Sequence, residues 1–141
     1  MTFIPADFDD AREPQPAPNG KYRLQILSCE VGKTGPNSKN PGTPQFIVGL
    51  GFIEEDDVPN CRHYITLPSE NDEAKSAKFK VLLLKRFLHL FNVPYDKDGI
   101  DMEQMSMDMI GADAMVEVKL GEPNDKGNVY NNIVVPPLPA E

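Results

Sequence analysis

The side chains that most often carry out catalysis are few in this chain. It holds two histidines and two cysteines in 141 residues, and no tryptophan. His63 and His89 lie far apart in sequence, and neither stands at a metal-ligand spacing from the cysteines, Cys29 and Cys61. No nucleophile and base are paired by spacing either. The sequence therefore predicts a non-catalytic protein with two free thiols, no metal and no cofactor.

Two short runs have the composition of ion or phosphate sites but lack the spacing. The four acids at 54–57 could offer oxygen ligands to Mg²⁺ or Ca²⁺, yet the alternating D-x-D-x-D-G pattern is missing. We interpret them as a solvated hairpin tip. Residues 32–35 read Gly-Lys-Thr-Gly, but the full phosphate-loop pattern is absent and no helix follows.

Charge is distributed in segments along the chain. The formal net charge of -8 argues against a protein that coats nucleic acid by bulk charge. Residues 21–53 nevertheless carry +3 and residues 74–91 carry +5, whereas residues 54–73 carry -6 and residues 92–125 carry -7. An acidic chain of this kind can present basic surfaces, and the fold decides where they lie.

The elements that must position these residues are mainly strands. Apolar residues make up 40% of the chain, as in a globular domain, and 14 prolines with 10 glycines favour short strands and loops. Alternation of apolar and polar residues predicts five strands, at 21–31, 46–52, 61–67, 116–120 and 129–135. Apolar spacings of 3 and 4 from Ala74 to Phe91 predict one helix that starts near 69–72, and 101–109 is predicted as a helical turn. A phase shift after Ile26 indicates a bulge or a strand covered on both faces.

The N-terminal 19 residues differ in composition from the rest. They hold four acids and four prolines, so we predict a flexible arm at 1–19 and one domain at 20–139. Two roles for the arm stay open. It could occupy a basic groove in place of nucleic acid, or dock through Phe3, Ile4 and Phe8 on the barrel or on a neighbouring subunit.

Three strands, a helix and two strands form the order of the five-stranded OB-fold barrel. The sequence also resembles phage-encoded OB-fold single-stranded-DNA-binding proteins. The likeness rests on Gly20-Lys21-Tyr22 after an acidic arm, the P-x-F entry at 44–46, the basic helix at 78–87, GADAMVEV at 111–118, and an asparagine-rich strand running into VPPLP. It implies single-stranded-DNA binding in phage DNA replication or recombination, in the host cytoplasm, with replication or recombination proteins as partners. The chain departs from such proteins by ending without an acidic tail, which puts tail-mediated recruitment in doubt.

The predicted fold assigns candidate site residues. In an OB barrel, strands 2 and 3 and the loops 1–2 and 4–5 form the ligand face, and single-strand binders combine cations with aromatic platforms. The candidates are Lys33, Lys39, Arg62, Tyr64, Lys126 and Tyr130, with Tyr22 on strand 1 as a further stacking residue. Phe46 and Phe52 share a face with other apolar residues, and we interpret them as core. The lysine stripe of the helix is interpreted as solvated, with a partner surface or an extended DNA path as alternatives.

These observations predict a mainly β, OB-fold-like barrel with one helix between strands 3 and 4 that binds single-stranded DNA without catalysis. The rival hypothesis is a structural or protein-interaction β-barrel, such as a virion component or an inhibitor of a host protein. Its support is the net charge of -8, the acidic arm and the proline-rich ends. No apolar run is long enough to span a bilayer, so no membrane partner is expected. A homo-oligomer is left open.

Overall fold

Five antiparallel strands and two helices make up the part of the chain that the structure describes. The structure is a computed structural model and describes residues 2–9, 11, 13–36, 41–70 and 72–139. The elements are β1 (Gly20–Lys33), β2 (Pro44–Phe52), β3 (Cys61–Thr66), α1 (Ala74–Leu90), α2 (Met102–Met109), β4 (Asp113–Leu120) and β5 (Asn131–Val134). The sheet order is β3-β2-β1-β4-β5, and β3 also approaches β5, so the sheet nearly closes into a barrel. The prediction of a mainly β, OB-fold-like barrel is confirmed.

Strand β1 is long enough to belong to both halves of the barrel. Its first part pairs with β4, and its second part pairs with β2. The register to β2 shifts between Ile26, opposite Leu50, and Ser28, opposite Gly49, so that Leu27 has no partner in the β1–β2 ladder. This is the bulge indicated by the phase shift in the sequence. A bulge bends the strand and increases its twist, which a small barrel requires.

The core fills the inside of the barrel. Along β2 the residues Phe46, Val48 and Leu50 are fully buried, as the alternation predicts. Core positions on the neighbouring strands are Leu24, Ile26, Ile65, Val116 and Val118. Because side chains alternate between the two faces of a strand, the residues between these core positions form the outer face of the sheet.

Helix α1 begins at Ala74, a few residues after the start predicted from the sequence. The preceding turn is stabilised separately, because the Asp72 carboxylate accepts a hydrogen bond from the Ser69 backbone N–H (3.0 Å) and pairs with the Lys80 ammonium (2.9 Å). The hydrogen bond from Lys80 holds the pKa of Asp72 below its usual value. Further along, α1 buries Leu84, Phe87 and Leu88 against the barrel.

The segment predicted as a helical turn forms a second helix, α2. Asp101 caps it, since the side chain accepts a hydrogen bond from the Gln104 backbone N–H at 3.1 Å. The helix buries Met105 and Met109. Its methionines give a weak helical period in the sequence, and burial against β1 stabilises the two turns.

Residues 14–19, which we refer to as the strap, pack against the barrel. Ala17 is 1% exposed. Its N–H donates to Oδ1 of Asn131 and its carbonyl accepts from Nδ2 of the same side chain, both at 2.8 Å. At one end of the strap, the Gln15 N–H donates to the Asp57 carbonyl at 3.3 Å. The predicted boundary between arm and domain at residue 19 thus falls inside a packed stretch.

Candidate nucleic-acid interface

Two of the predicted site residues project together from the outer face of β3. Arg62 lies opposite Gly49 and Tyr64 lies opposite Ile47 in the β2–β3 ladder. Being two positions apart, they point to the same side of the strand. Both are exposed, and 53% of the surface of Tyr64 is accessible. The pair therefore offers an aromatic ring beside a guanidinium on an open sheet surface.

The glycines of β2 shape this surface. Gly49 and Gly51 lie on the outer face, where the side chains of Ser28 and Leu27 fold over them. A methyl group placed on Gly51 would come within 2.6 Å of Leu27 Cδ1. The room that these glycines provide is thus used by the neighbouring strand, and Leu27 adds an apolar group, 47% exposed, to the outer face.

The β1–β2 loop forms one border of the outer face. Lys33 is exposed at the end of β1, where it pairs with Pro44. The neck of the loop is closed by two hydrogen bonds between Thr34 and Thr43: the Thr34 N–H donates to the Thr43 carbonyl at 2.9 Å, and the Thr43 N–H donates to Oγ1 of Thr34 at 3.0 Å. Lys39 lies outside the residues that the structure describes.

The β4–β5 loop contributes the other predicted residues. Lys126 is exposed in a turn where the Asn124 side chain accepts hydrogen bonds from two backbone N–H groups, those of Lys126 and Asn128, each at 2.9 Å. Tyr130 is 59% exposed and borders a groove of about 730 Å³. The groove's other walls are the strap and Pro59-Asn60, which immediately precede β3. Tyr130 therefore stands near the end of β3 that leads to Arg62.

Tyr22 lies elsewhere. Its ring is half-buried and packs edge-on against Phe52, with the ring centres 5.4 Å apart. Its hydroxyl donates to the carbonyl of Pro18 in the strap at 2.8 Å. The structure thus places Tyr22 between core and strap, separate from Arg62 and Tyr64. Phe46 and Phe52 are both buried, as interpreted from their alternation.

Acidic groups surround the cations of this surface. Glu30 is exposed on the outer face opposite Ile47, and the acids at 54–57 follow β2. Arg23, near the start of β1, forms an ion pair with Asp113 at 3.3 Å. Of the predicted cations within the described residues, Lys33, Arg62 and Lys126 are exposed, and none of the three belongs to the ion pairs Arg23–Asp113 and Lys80–Asp72.

The histidine and the thiols inside the barrel have shifted pKa values. The His63 ring stacks on Phe87 at 5.3 Å between ring centres, and burial lowers the pKa of His63. Burial also raises the pKa of both Cys29 and Cys61 to about 11. Among the residues that the structure describes, no three His, Cys, Asp or Glu side chains are grouped in a way that could hold a metal ion.

Two contributors to the outer face were missed by the sequence reasoning. Ile47 and Leu27 are apolar yet lie on the outer side of the sheet. Ile47 lies between the core residues Phe46 and Val48, and Leu27 directly follows the core residue Ile26. The alternation of the two faces along each strand therefore predicts both residues on the outer face.

Neither helix within the described ranges is long and apolar enough to cross a lipid bilayer. A search of curated proteins finds no match to the chain. The sequence model of one protein family matches residues 5–138, which is nearly the whole chain. By that match, the chain belongs to the family described as "Protein of unknown function (DUF669)".

Proposed function

We propose that the protein binds single-stranded DNA without catalysis and that the strand lies on the outer face of β2 and β3. The observation that carries the proposal is the projection of Arg62 and Tyr64 from the same side of β3. A base stacks on the tyrosine ring while the guanidinium neutralises an adjacent phosphate, which is how sequence-tolerant single-strand binders work.

The two bordering loops extend this contact in both directions. Lys33 lies beyond one end of the β2–β3 ladder, and Tyr130 with Lys126 lies beyond the other. The six residues of β3 span about 20 Å. A path of this length suits the roughly 4–16 nucleotides that one OB barrel binds.

The setting we propose is DNA replication or recombination of a phage, in the cytoplasm of the host cell, with proteins of those processes as partners. The support is the sequence resemblance, over most of residues 15–139, to a diffuse group of phage-encoded early proteins that includes single-stranded-DNA-binding proteins. Tyr22 is left out of the proposed site because its ring and hydroxyl are engaged by Phe52 and Pro18.

Fluorescence polarisation with a labelled oligothymidine tests the stacking role. Removing one stacked base contact costs about 1–3 kcal/mol, so Tyr64→Ala should weaken binding roughly 5- to 150-fold. Tyr95→Ala is the matched control, because Tyr95 is 43% exposed in the segment after α1 and is not one of the residues of the proposed path. Equal affinities of the two variants would contradict a stacking role for Tyr64.

The dependence of affinity on salt tests the cations. For single strands the slope of log affinity against log salt is about -0.7 per neutralised phosphate. Arg62→Ala should therefore reduce the slope by about 0.7, and Lys33→Ala combined with Lys39→Ala by about 1.4, with little loss of stability. An unchanged slope removes the mutated residue from the path.

Failure of the unmodified protein to bind any oligonucleotide at low salt would refute the proposed function. The rival hypothesis, a protein-interaction barrel, would then be preferred. One observation favours that rival specifically, since Phe3 is 87% and Phe8 is 81% exposed. Aromatic side chains so exposed are typical of surfaces that bind another protein.

A further inference from the structure

An apolar groove lies beside α1. Its volume is about 600 Å³, and it runs between α1 and the segment that leads into α2. Its apolar walls are formed by Val81, Leu84, Leu88, Tyr95, Ile100 and Met102. Three of these side chains remain well exposed, at 51% for Val81, 43% for Tyr95 and 37% for Met102. The groove is large enough for two or three side chains of a peptide.

The N-terminal segment at residues 2–9 has the matching apolar side chains. Phe3, Ile4 and Phe8 are 87%, 75% and 81% exposed, more than any other large apolar residue in the described part of the chain. They fall within six positions of one another. An apolar cluster this exposed at the start of a packed domain is typical of a segment that docks on another surface.

The charges of the two partners are complementary. Residues 2–9 carry two aspartates, Asp7 and Asp9, and no cation. The groove is bordered by Lys85 and Lys97, against one acid, Asp96. Helix α1 adds further lysines and contains no acid between residues 74 and 90. An acidic, aromatic peptide is therefore complementary to the α1 wall of the groove, whereas the segment at 95–101 that forms the other wall carries three aspartates against Lys97.

The position of the strap favours a groove on another copy. Gln15 is held at Asp57, before β3, whereas the groove starts at Leu67-Pro68, after β3. The distance along β3 is about 20 Å, and the seven residues from Gln15 to Phe8 span about 25 Å only when fully extended. Residues 8–11 are not extended, because the Ala11 N–H turns back to the Phe8 carbonyl at 3.3 Å, so Phe8 does not reach the groove of its own copy together with Phe3 and Ile4.

We propose that residues 2–9 of one copy of this chain bind in the α1 groove of a second copy. Phe3, Ile4 and Phe8 enter the apolar part of the groove, and the aspartates lie along its lysines. Reciprocal exchange between two copies closes a two-fold dimer, and one-way exchange continues into a chain of copies. This inference is independent of the proposed DNA binding.

Sedimentation velocity of the full-length protein across the micromolar range tests the inference. The unmodified protein should associate. An arm variant (Phe3→Ala, Ile4→Ala and Phe8→Ala) and a groove variant (Val81→Glu) should each weaken association about tenfold or more, as expected when anchoring residues are lost. Val81 is half-exposed on a helix, so the groove variant is expected to fold. The matched control is Met107→Glu, because Met107 is 60% exposed on α2 and should leave association unchanged.

Mixing the two defective variants provides the decisive measurement. The groove variant keeps an intact arm and the arm variant keeps an intact groove, so an equimolar mixture should form heterodimers that neither variant forms alone. Monomeric unmodified protein at all concentrations would overturn the inference, as would docking of the arm in its own groove. The inference would also be overturned if the arm variant associated as strongly as the unmodified protein, because the contact would then involve another surface.

Discussion

The amide of Asn131 holds the strap, and its removal gives the most direct test of the packing described above. Asn131 is 4% exposed and makes two 2.8 Å hydrogen bonds to the backbone of Ala17, which is itself 1% exposed. In Asn131→Ala the N–H and carbonyl of Ala17 lose their partners while still buried. Each unpaired buried group costs about 1–3 kcal/mol, so with two such groups we expect the free energy of unfolding to fall by about 2–6 kcal/mol.

Urea denaturation followed by circular dichroism measures this loss. With an m value of about 2 kcal/mol/M, the unfolding midpoint should fall by roughly 1–3 M. Asn132→Ala is the matched control, since Asn132 is the exposed neighbour on the same strand and should change stability by about 0.5 kcal/mol or less. If both variants unfold at the same urea concentration, the strap is not held by this side chain and the reasoning fails.

Three further predictions concern the barrel itself. Burial lowers the pKa of His63, so below about pH 6.5 the unfolded chain binds more protons than the folded chain. The free energy of unfolding should therefore fall on acidification, by up to about 1.4 kcal/mol per pH unit. His63→Gln should remove that dependence in pH-resolved urea titrations, and the exposed His89→Gln should retain it. Gly51→Ala should destabilise the protein by only about 1 kcal/mol, because the Leu27 Cδ1 that it meets is the end of a half-exposed side chain that can move aside, and adding Leu27→Ala should recover part of the loss; strict additivity of the two changes in a double-mutant cycle would contradict that contact. Both thiols have a pKa of about 11, against an ordinary 9.0, so about 100-fold less of the reactive thiolate is present in the folded protein. They should therefore react with a disulfide reagent about 100-fold more slowly than after denaturation, and equal rates would contradict their burial.

The parts of the fold that follow from local periodicity were predictable from the sequence. The alternation from Phe46 to Phe52 correctly assigned one face of β2 to the core, and the phase shift after Ile26 located the bulge. The contact between Ala17 and Asn131 was not predictable, because it joins a polar side chain to a backbone group 114 positions away. Long-range hydrogen bonds of this kind leave no periodic signal in a sequence.

The candidate site was predictable in type but only partly in position. Once β3 is assigned, Arg62 and Tyr64 must lie on the same face, because residues two positions apart on a strand point to the same side. The environment of Tyr22 depends on where the strap lies, and the strap has the composition of a disordered segment. A proline-rich segment that packs through its backbone has no periodic pattern of apolar residues, so its contacts with the barrel could not be predicted from the sequence.

The double pairing of β1 also has a consequence for synthesis. The β1–β2–β3 meander can form as soon as it leaves the ribosome, but the first part of β1 must wait for β4, because Lys21 pairs with Glu117, 96 positions later. At about 5–20 residues per second, that edge stays open for roughly 5–20 s. An open edge invites pairing with other nascent chains, and charged residues on it reduce that risk. Lys21 and Arg23, which alternate with the apolar residues of this half-strand, would thus protect the chain before the barrel closes.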